Sequence, residues 1–232
     1  MPAPRAPVAR SYRGTSAEER RSARRAQLLA AGLDLLGTDG YQGTTVRAVC
    51  ARARLTPRYF YESFEDLDAL LVAVFDRLVG EASEIVLRAV DETAHDARAK
   101  ARAAIEGFVR FATDDPRRAR VMFVEAVGVE ALMRRRSAAM SLFAKVIADR
   151  GGEFYGAPAD ADPVLELTAS LLAGGLTELL VTWLDGRIAI SREELVDDVT
   201  ELFVATGEGA VAIARRRAAQ TGHLAAGATD PR

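Results

Sequence analysis

Residues 44–64 read TTVRAVCARARLTPRYFYESF. Thr44 or Thr45 is placed to cap a short helix that carries Val46, Val49 and Cys50 on its inner side. Arg52 to Leu55 reads as a tight turn. Thr56 then stands as the next N-cap, with Pro57 at the first helical position, where its missing N–H costs nothing. This second helix is expected to run to about Ser63. Phe60 and Phe64 are four apart and share its inward face. The outward side presents Pro57, Arg58, Tyr59 and Tyr61. The segment is therefore helix, turn, helix. An α-helix fits the major groove of B-DNA, and side chains at its start can reach base edges. Hydroxyls of Thr and Tyr suit phosphate contacts, which fix register without reading sequence. Arg47, in the first turn of the preceding helix, comes within reach of the same groove.

Working outward, Leu28, Ala31, Gly32, Leu35 and Leu36 recur at spacings of three and four, which predicts a helix from about Ala17. Asp39-Gly40 ends it, with Gly40 suited to a left-handed conformation. Three short helices thus fit into about 45 residues. Residues 1–16 are expected to form a flexible arm, rich in Pro, Arg, Ser and Gly. Downstream, Leu67 to Ala89 carries the stripe of one long amphipathic helix. Further helices are expected from about Asp96 to Ala112, from Pro116 through Ala126 with Gly128 as a break, and from Ala131 to Asp149. Residues 150–161 read as a loop. Asp162-Pro163 opens an apolar helix that ends near Gly186. Ser191 and Glu194 form a capping box for a last helix to about Arg216. Residues 218–232 read as a loose tail. No stretch alternates with period two. The fold class is all-α: an N-terminal three-helix head over residues 17–65, joined by a long helix to a larger helical body over residues 66–217.

Charge divides the chain in the same way. The net charge is -2, but residues 1–65 hold 11 arginines against 6 acidic residues, a balance of +5. The remainder is acidic. A basic head on an acidic body points to polyanion binding at one end only. The single cysteine, Cys50, excludes an intramolecular disulfide and reads as a small buried hydrophobe. The N-terminus lacks the apolar stretch of a secretory signal, and no charge-free apolar run predicts a membrane span. A cytoplasmic location is expected. His95 and His223 are unaccompanied, so no metal site is expected, and no cofactor either. No Gly-rich phosphate loop is present, nor a Ser or Cys nucleophile with a placed base. Enzymatic function is not expected.

From Arg25 to Leu71 the order of residues resembles the TetR (AcrR-like) family of bacterial transcriptional regulators. The resemblance rests on RAQLLAAGLDLLGTDGY, on the TTVRAVC helix start, and on TPRYFYESFEDLDALL, where Tyr61, Phe64 and Leu70 match the family's pattern. It implies a homodimer whose heads bind a palindromic operator on double-stranded DNA. It also implies a body that encloses a cavity for a small-molecule effector, whose binding releases the DNA. Arg47, Pro57, Arg58 and Tyr59 match positions that face bases. Thr45, Thr56, Tyr61 and Ser63 match positions that touch phosphate. Two positions depart from the pattern. The turn position that is usually Gly is Arg54, which strains an L-residue by about 1 kcal/mol if a positive φ is required there. The usual Lys after the Phe is Leu67, which removes one phosphate contact per head and lowers the salt slope by about one unit. Arg20, Arg21, Arg24 and Arg25, or the arm arginines Arg5, Arg10 and Arg13, are candidates to compensate.

In the body, Phe108, Phe111, Met122, Phe123, Met140, Phe143 and Trp183 are candidates to line an apolar ligand pocket, with Glu125 and Thr177 as polar anchors. Each is also a candidate for plain core. Residues 162–186 and 191–216 suit dimerisation, because a helix that is apolar nearly all round must be covered on several sides. The reading that follows is a sequence-specific DNA-binding regulator, a repressor released by ligand. The alternatives are a ligand-independent regulator without a cavity, or a protein–protein adaptor.

Overall fold

The computed structural model describes residues 16–93, 96–155 and 163–227. Among these residues the secondary structure is helical throughout, with no strand. Helix α1 (Ala17–Thr38) opens on Ser16, whose hydroxyl accepts from the Glu19 amide while the Glu19 carboxylate accepts from the Ser16 amide. That reciprocal pair satisfies two orphan donors of the first turn. Gly40, at φ +73, takes the left-handed conformation expected of it, and a single turn, α2 (Gly40–Gly43), follows. Thr45, not Thr44, caps α3 (Val46–Ala53), accepting from the Ala48 amide at 3.1 Å. Thr44 is buried and donates to the Gly40 carbonyl at 2.7 Å. Helix α4 (Pro57–Tyr61) starts on Thr56 and is shorter than expected, the chain turning at Glu62 and Ser63.

Leu28, Leu36, Val49, Phe60 and Leu70 are fully buried and hold the head together. Cys50 belongs to this core. Burial pushes its thiol pKa up, which suits packing rather than redox chemistry. Helix α5 (Leu67–Glu92), capped by Asp66 onto the Ala69 amide, runs from the head into the body. Its Leu70 and Val74 close against Gly32 of α1. A Cβ there would lie 3.1 Å from Val74 Cγ2, so a small residue lets the two helices approach.

The body comprises α5, α6 (Ala97–Thr113), α7 (Pro116–Ala119), a π-helical segment (Arg120–Glu125), α8 (Ala126–Gly128), α9 (Glu130–Tyr155), α10 (Pro163–Leu184) and α11 (Arg192–Gly227). Helix α6 packs between α5 and α11, and α10 packs against α9 and α11. The Ser191–Glu194 capping box forms as expected, with both backbone-to-side-chain bonds in place.

Three expectations need correction. Residues 150–155 are the last turns of α9 rather than a loop. Arg150 ties this stretch across to Asp91 at 3.3 Å and along the helix to Glu153 at 3.2 Å, which offsets the helix cost of Gly151 and Gly152. Helix α11 continues to Gly227, so residues 218–227 are helical rather than loose. The stretch after Pro116 is not a uniform α-helix, because a π segment interrupts it. Residues 1–15 with Arg5, Arg10 and Arg13, His95, the His223 side chain, residues 156–161 of the expected loop and residues 228–232 lie outside the described residues.

Helix α10 is long and apolar enough to cross a membrane, with a mean hydropathy of 1.6 over its best 18-residue window. The sequence reading did not expect such a segment. Leu167 and Leu171 are each 67% exposed on its outer side, one turn apart, while Ala169, Ala173, Thr177 and Leu180 face inward. Leu202 of α11 is exposed as well.

Candidate nucleic-acid interface

Phe60 anchors α4 from below, fully buried, with the Tyr61 ring edge-on at 5.3 Å and the Phe64 ring at 5.9 Å. The residues above it are turned to the surface. Thr56, Pro57, Arg58 and Tyr61 are exposed, and the Thr56 hydroxyl makes no capping bond to its own helix. Thr45 and Arg47 are exposed at the start of α3. Tyr59 and Ser63 are half-buried. The starts of α3 and α4 are thus both open to solvent, and of the eight residues singled out in the sequence six are exposed and two half-buried.

Arg24 of α1 adds what the sequence only hinted at. Its guanidinium stacks over the Tyr59 ring at 4.4 Å, and Arg25 stacks over Phe64 at 4.8 Å. Arg24 is thereby held beside α4, its planar group matched to an aromatic face. Glu62 was not anticipated. It accepts from Arg58 Nε at 3.0 Å and lies 3.8 Å from Arg24. A phosphate or base approaching Arg58 competes with that carboxylate, which tempers the affinity of this surface. The spacing Arg58–Glu62 at i, i+4 was the available signal.

Arg54 closes α3 at φ 55, ψ 39, the left-handed region, and its amide bonds the Cys50 and Ala51 carbonyls. The usual turn is kept, at the expected strain of an L-residue. Arg54→Gly is expected to raise stability by up to about 1 kcal/mol, an upward shift of about 2–4 °C in Tm. A fall in Tm on thermal denaturation would show instead that the Arg54 side chain contributes more than its backbone loses.

The end of α1 is fastened to the body by a polar seam. Asp34 pairs with Arg52 of α3 and with Arg117 of α7, the latter at 2.9 Å, and Arg117 also binds Asp115 at 2.8 Å. The hydrogen bond from Arg117 holds the Asp115 carboxyl below the usual carboxylate range, so this ion pair stays charged at neutral pH. Arg120 donates to the Thr38 carbonyl at 2.6 Å and to Glu125 at 3.1 Å. Glu125 in turn accepts from the Tyr41 amide at 3.0 Å. The π segment supplies both Arg120 and Glu125, and its altered register lets the two side chains point at one place on the head.

Glu125 is therefore committed to the seam rather than to a ligand. The other eight pocket candidates also lie away from a cavity of about 600 Å³ in the body. Phe108 meets Phe123 edge-on at 6.4 Å and Phe143 at 5.8 Å, and Phe111 lies under the Arg118 guanidinium. Met122 is buried. Thr177 donates to the Ala173 carbonyl and to Met140 Sδ, and Trp183 Nε1 donates to the Ile190 carbonyl at 2.8 Å. Thr177 faces inward and its neighbour Glu178 outward. Phe123 borders a different cleft, of about 250 Å³, beside the π segment.

The main cavity, of about 600 Å³, lies among the C-terminal parts of α5 and α9, the start of α6, the first half of α10 and the middle of α11. Its walls are mostly aliphatic or small, Val86, Val90, Ala97, Ala101, Ala104, Leu165, Ala169, Leu172, Gly207 and Ala210 among them, with Phe154 and Phe203 as the aromatic members. Aromatic side chains fill space, whereas facing Ala and Gly leave it. Alanines at 97, 101 and 104 opposite Gly207 and Ala210 were the signal in the sequence.

A basic head with a surface-borne helix-turn-helix, on an all-helical body that holds a cavity, is an arrangement shared with solved bacterial regulators. Residues 28–74 match the family model described as bacterial regulatory proteins, tetR family, so this part of the head is similar to that family's. The chain matches none of the curated proteins. Among solved structures, it is similar to the fatty acid degradation regulator FadR from Bacillus halodurans, at 17% identity and TM-score 0.66, covering 78% of this chain and 94% of that one. FadR from Bacillus subtilis, solved in complex with stearoyl-CoA, gives 18% identity and TM-score 0.66, covering 78% and 98%. A TetR-like transcriptional regulator from Rhodococcus sp. RHA1 gives 20% identity and TM-score 0.61, covering 82% and 97%. The likeness extends the family's fold over most of the body.

Proposed function

We propose that the chain is a cytoplasmic homodimeric repressor that binds a palindromic operator and leaves it when a small molecule enters the body cavity. The observation that carries this reading is the exposure of Thr45 and Arg47 at the start of α3 and of Thr56, Pro57 and Arg58 at the start of α4, whose Phe60 is fully buried. Residues 17–65 serve as the DNA-binding unit and residues 66–217 as the effector and dimerisation unit. The exposed Leu167, Leu171 and Leu202 on α10 and α11 supply an apolar face for a two-fold partner, which also accounts for the hydropathy of α10. The stearoyl-CoA held by the Bacillus subtilis regulator supports an effector role for the body.

Coupling follows from the run of two helices. Helices α5 and α6 line the cavity at one end. At its other end α5 packs under α1, and Phe111 and Ala112 of α6 are buried near the π segment. A ligand that fits a rearranged cavity better than the DNA-competent one shifts the population by that difference in affinity. The seam then moves both heads off successive major grooves, about 34 Å apart.

Arg47→Ala and Tyr59→Ala are each expected to cost about 1–3 kcal/mol of discrimination between operator and unrelated duplex. Thr56→Ala is expected to weaken all sequences alike, because a phosphate contact carries no sequence information. Fluorescence anisotropy on matched and scrambled duplexes separates the two behaviours. A Tyr59→Ala protein that keeps the full sequence preference would put the recognition surface elsewhere.

A further inference from the structure

We infer that the body cavity takes an anionic amphiphile: an aliphatic chain whose negatively charged head is held by Lys100. The inference rests on the ligand-responsive reading and names the chemical class of the effector. Lys100, Arg150 and Glu153 are the charged residues lining the cavity. Arg150 is spent on Asp91 at 3.3 Å and Glu153 at 3.2 Å. Lys100, half-buried on α6, forms no ion pair among the described residues. Lys100 is therefore the lining cation without an ion pair among the described residues, beside a largely apolar space. A long stem along the wall with its ammonium at the rim is the usual placement for such a lysine.

The rest of the lining dictates the rest of the ligand. The walls are Val, Ile, Leu, Ala and Gly, with Phe154 and Phe203, and few polar groups. Thr168 already donates its hydroxyl to the Val164 carbonyl at 2.7 Å. A ligand with polar groups along its length would lose their hydrogen bonds to water and find no replacements. An aliphatic chain loses nothing and is driven in by burial. At its end, a carboxylate or a phosphate-bearing head meets the ammonium as a charge-assisted hydrogen bond, stronger than a neutral one. The volume of about 600 Å³ lies within the range of small-molecule pockets.

Calorimetric titration of the full chain with decanoate, decanoyl-CoA, decan-1-ol and decyltrimethylammonium tests this. At least one of the two anionic probes is expected to bind about tenfold or more tighter than the alcohol, and the cation weakest. Decanoate above decanoyl-CoA identifies a free carboxylate as the head, and the reverse order identifies the carrier's phosphates. Lys100→Gln is expected to bring the anionic probe down to the alcohol's affinity, while Lys100→Arg keeps the preference. Equal binding of anion and alcohol, a preference that survives Lys100→Gln, or no binding by any probe overturns the inference. Operator binding, followed separately, keeps the two readings apart. Tight anion binding that leaves operator affinity unchanged sinks ligand-driven release and spares the site.

Discussion

Phe60→Ala is expected to remove about 3–5 kcal/mol from the head, the usual cost of truncating a fully buried aromatic side chain. The large value has a local cause. Helix α4 spans only Pro57–Tyr61, far below the length at which a helix holds itself together in water. Its position is set by Phe60, with no exposed surface, and by the two rings that touch it. Removing the ring leaves a cavity under the recognition surface and frees that surface to wander. Since a whole domain is stable by only about 5–15 kcal/mol, the head is expected to melt separately, ahead of the body. Circular dichroism should then show two transitions, with α9–α11 in the later one, and operator binding should be lost. A single transition near the original Tm, with operator binding intact, would mean that α4 is not held from below in this way. Phe60→Leu serves as the graded control and should lose less.

The second large effect is expected from one methyl group. In Gly37→Ala the new Cβ would lie 2.3 Å from Arg117 Cβ and 2.8 Å from Arg117 Cα. The nearest atoms include backbone, which cannot swing aside, so α1 and α7 must part. Overpacking of this kind costs about 1–3 kcal/mol or more. The consequence reaches past stability, because Asp34–Arg117, Arg120 to the Thr38 carbonyl and Glu125 to the Tyr41 amide all bridge the same gap. The wedge should loosen all three together. The expected result is a lower Tm and an operator affinity that no longer responds to effector. Glu125→Ala probes the seam without a wedge, leaving the Tyr41 amide without its acceptor at about 1–3 kcal/mol. If both variants keep a normal effector response, the seam is not the route of coupling.

Local chemistry was readable where it is local. The Thr45 cap, the start of α4 at Thr56 and Pro57, the left-handed Gly40, the Ser191–Glu194 box and the inward pair Phe60 and Phe64 each follow from residues within one turn of one another. The strained turn at Arg54 was legible only through the resemblance, which marks that position as usually Gly, and the turn there does take a positive φ. What escaped was set by distant partners. Nothing between Arg120 and Glu125 announces a π register; Thr38 and Tyr41, some 80 residues earlier, receive the side chains that it aims. Glu125 among apolar neighbours looked like a ligand anchor for the same reason. Gly151 and Gly152 read as a loop because their helix cost is local, whereas Arg150's bond to Asp91 is not. The cavity was sought among residues such as Phe108, Phe123 and Phe143, which proved to pack on one another, while the open space lies among small and aliphatic residues with Phe154 and Phe203 in its walls.

Selection of bound duplexes from a random DNA pool, at an ionic strength of about 0.15 M, tests the central claim most directly, since non-specific binding falls steeply with salt while base readout persists. The expected outcome is a palindromic consensus whose half-sites lie about one helical turn, or a multiple of it, apart. Binding that vanishes with salt and enriches no sequence would contradict the account, and would leave the chain with the fold of a regulator but not its activity.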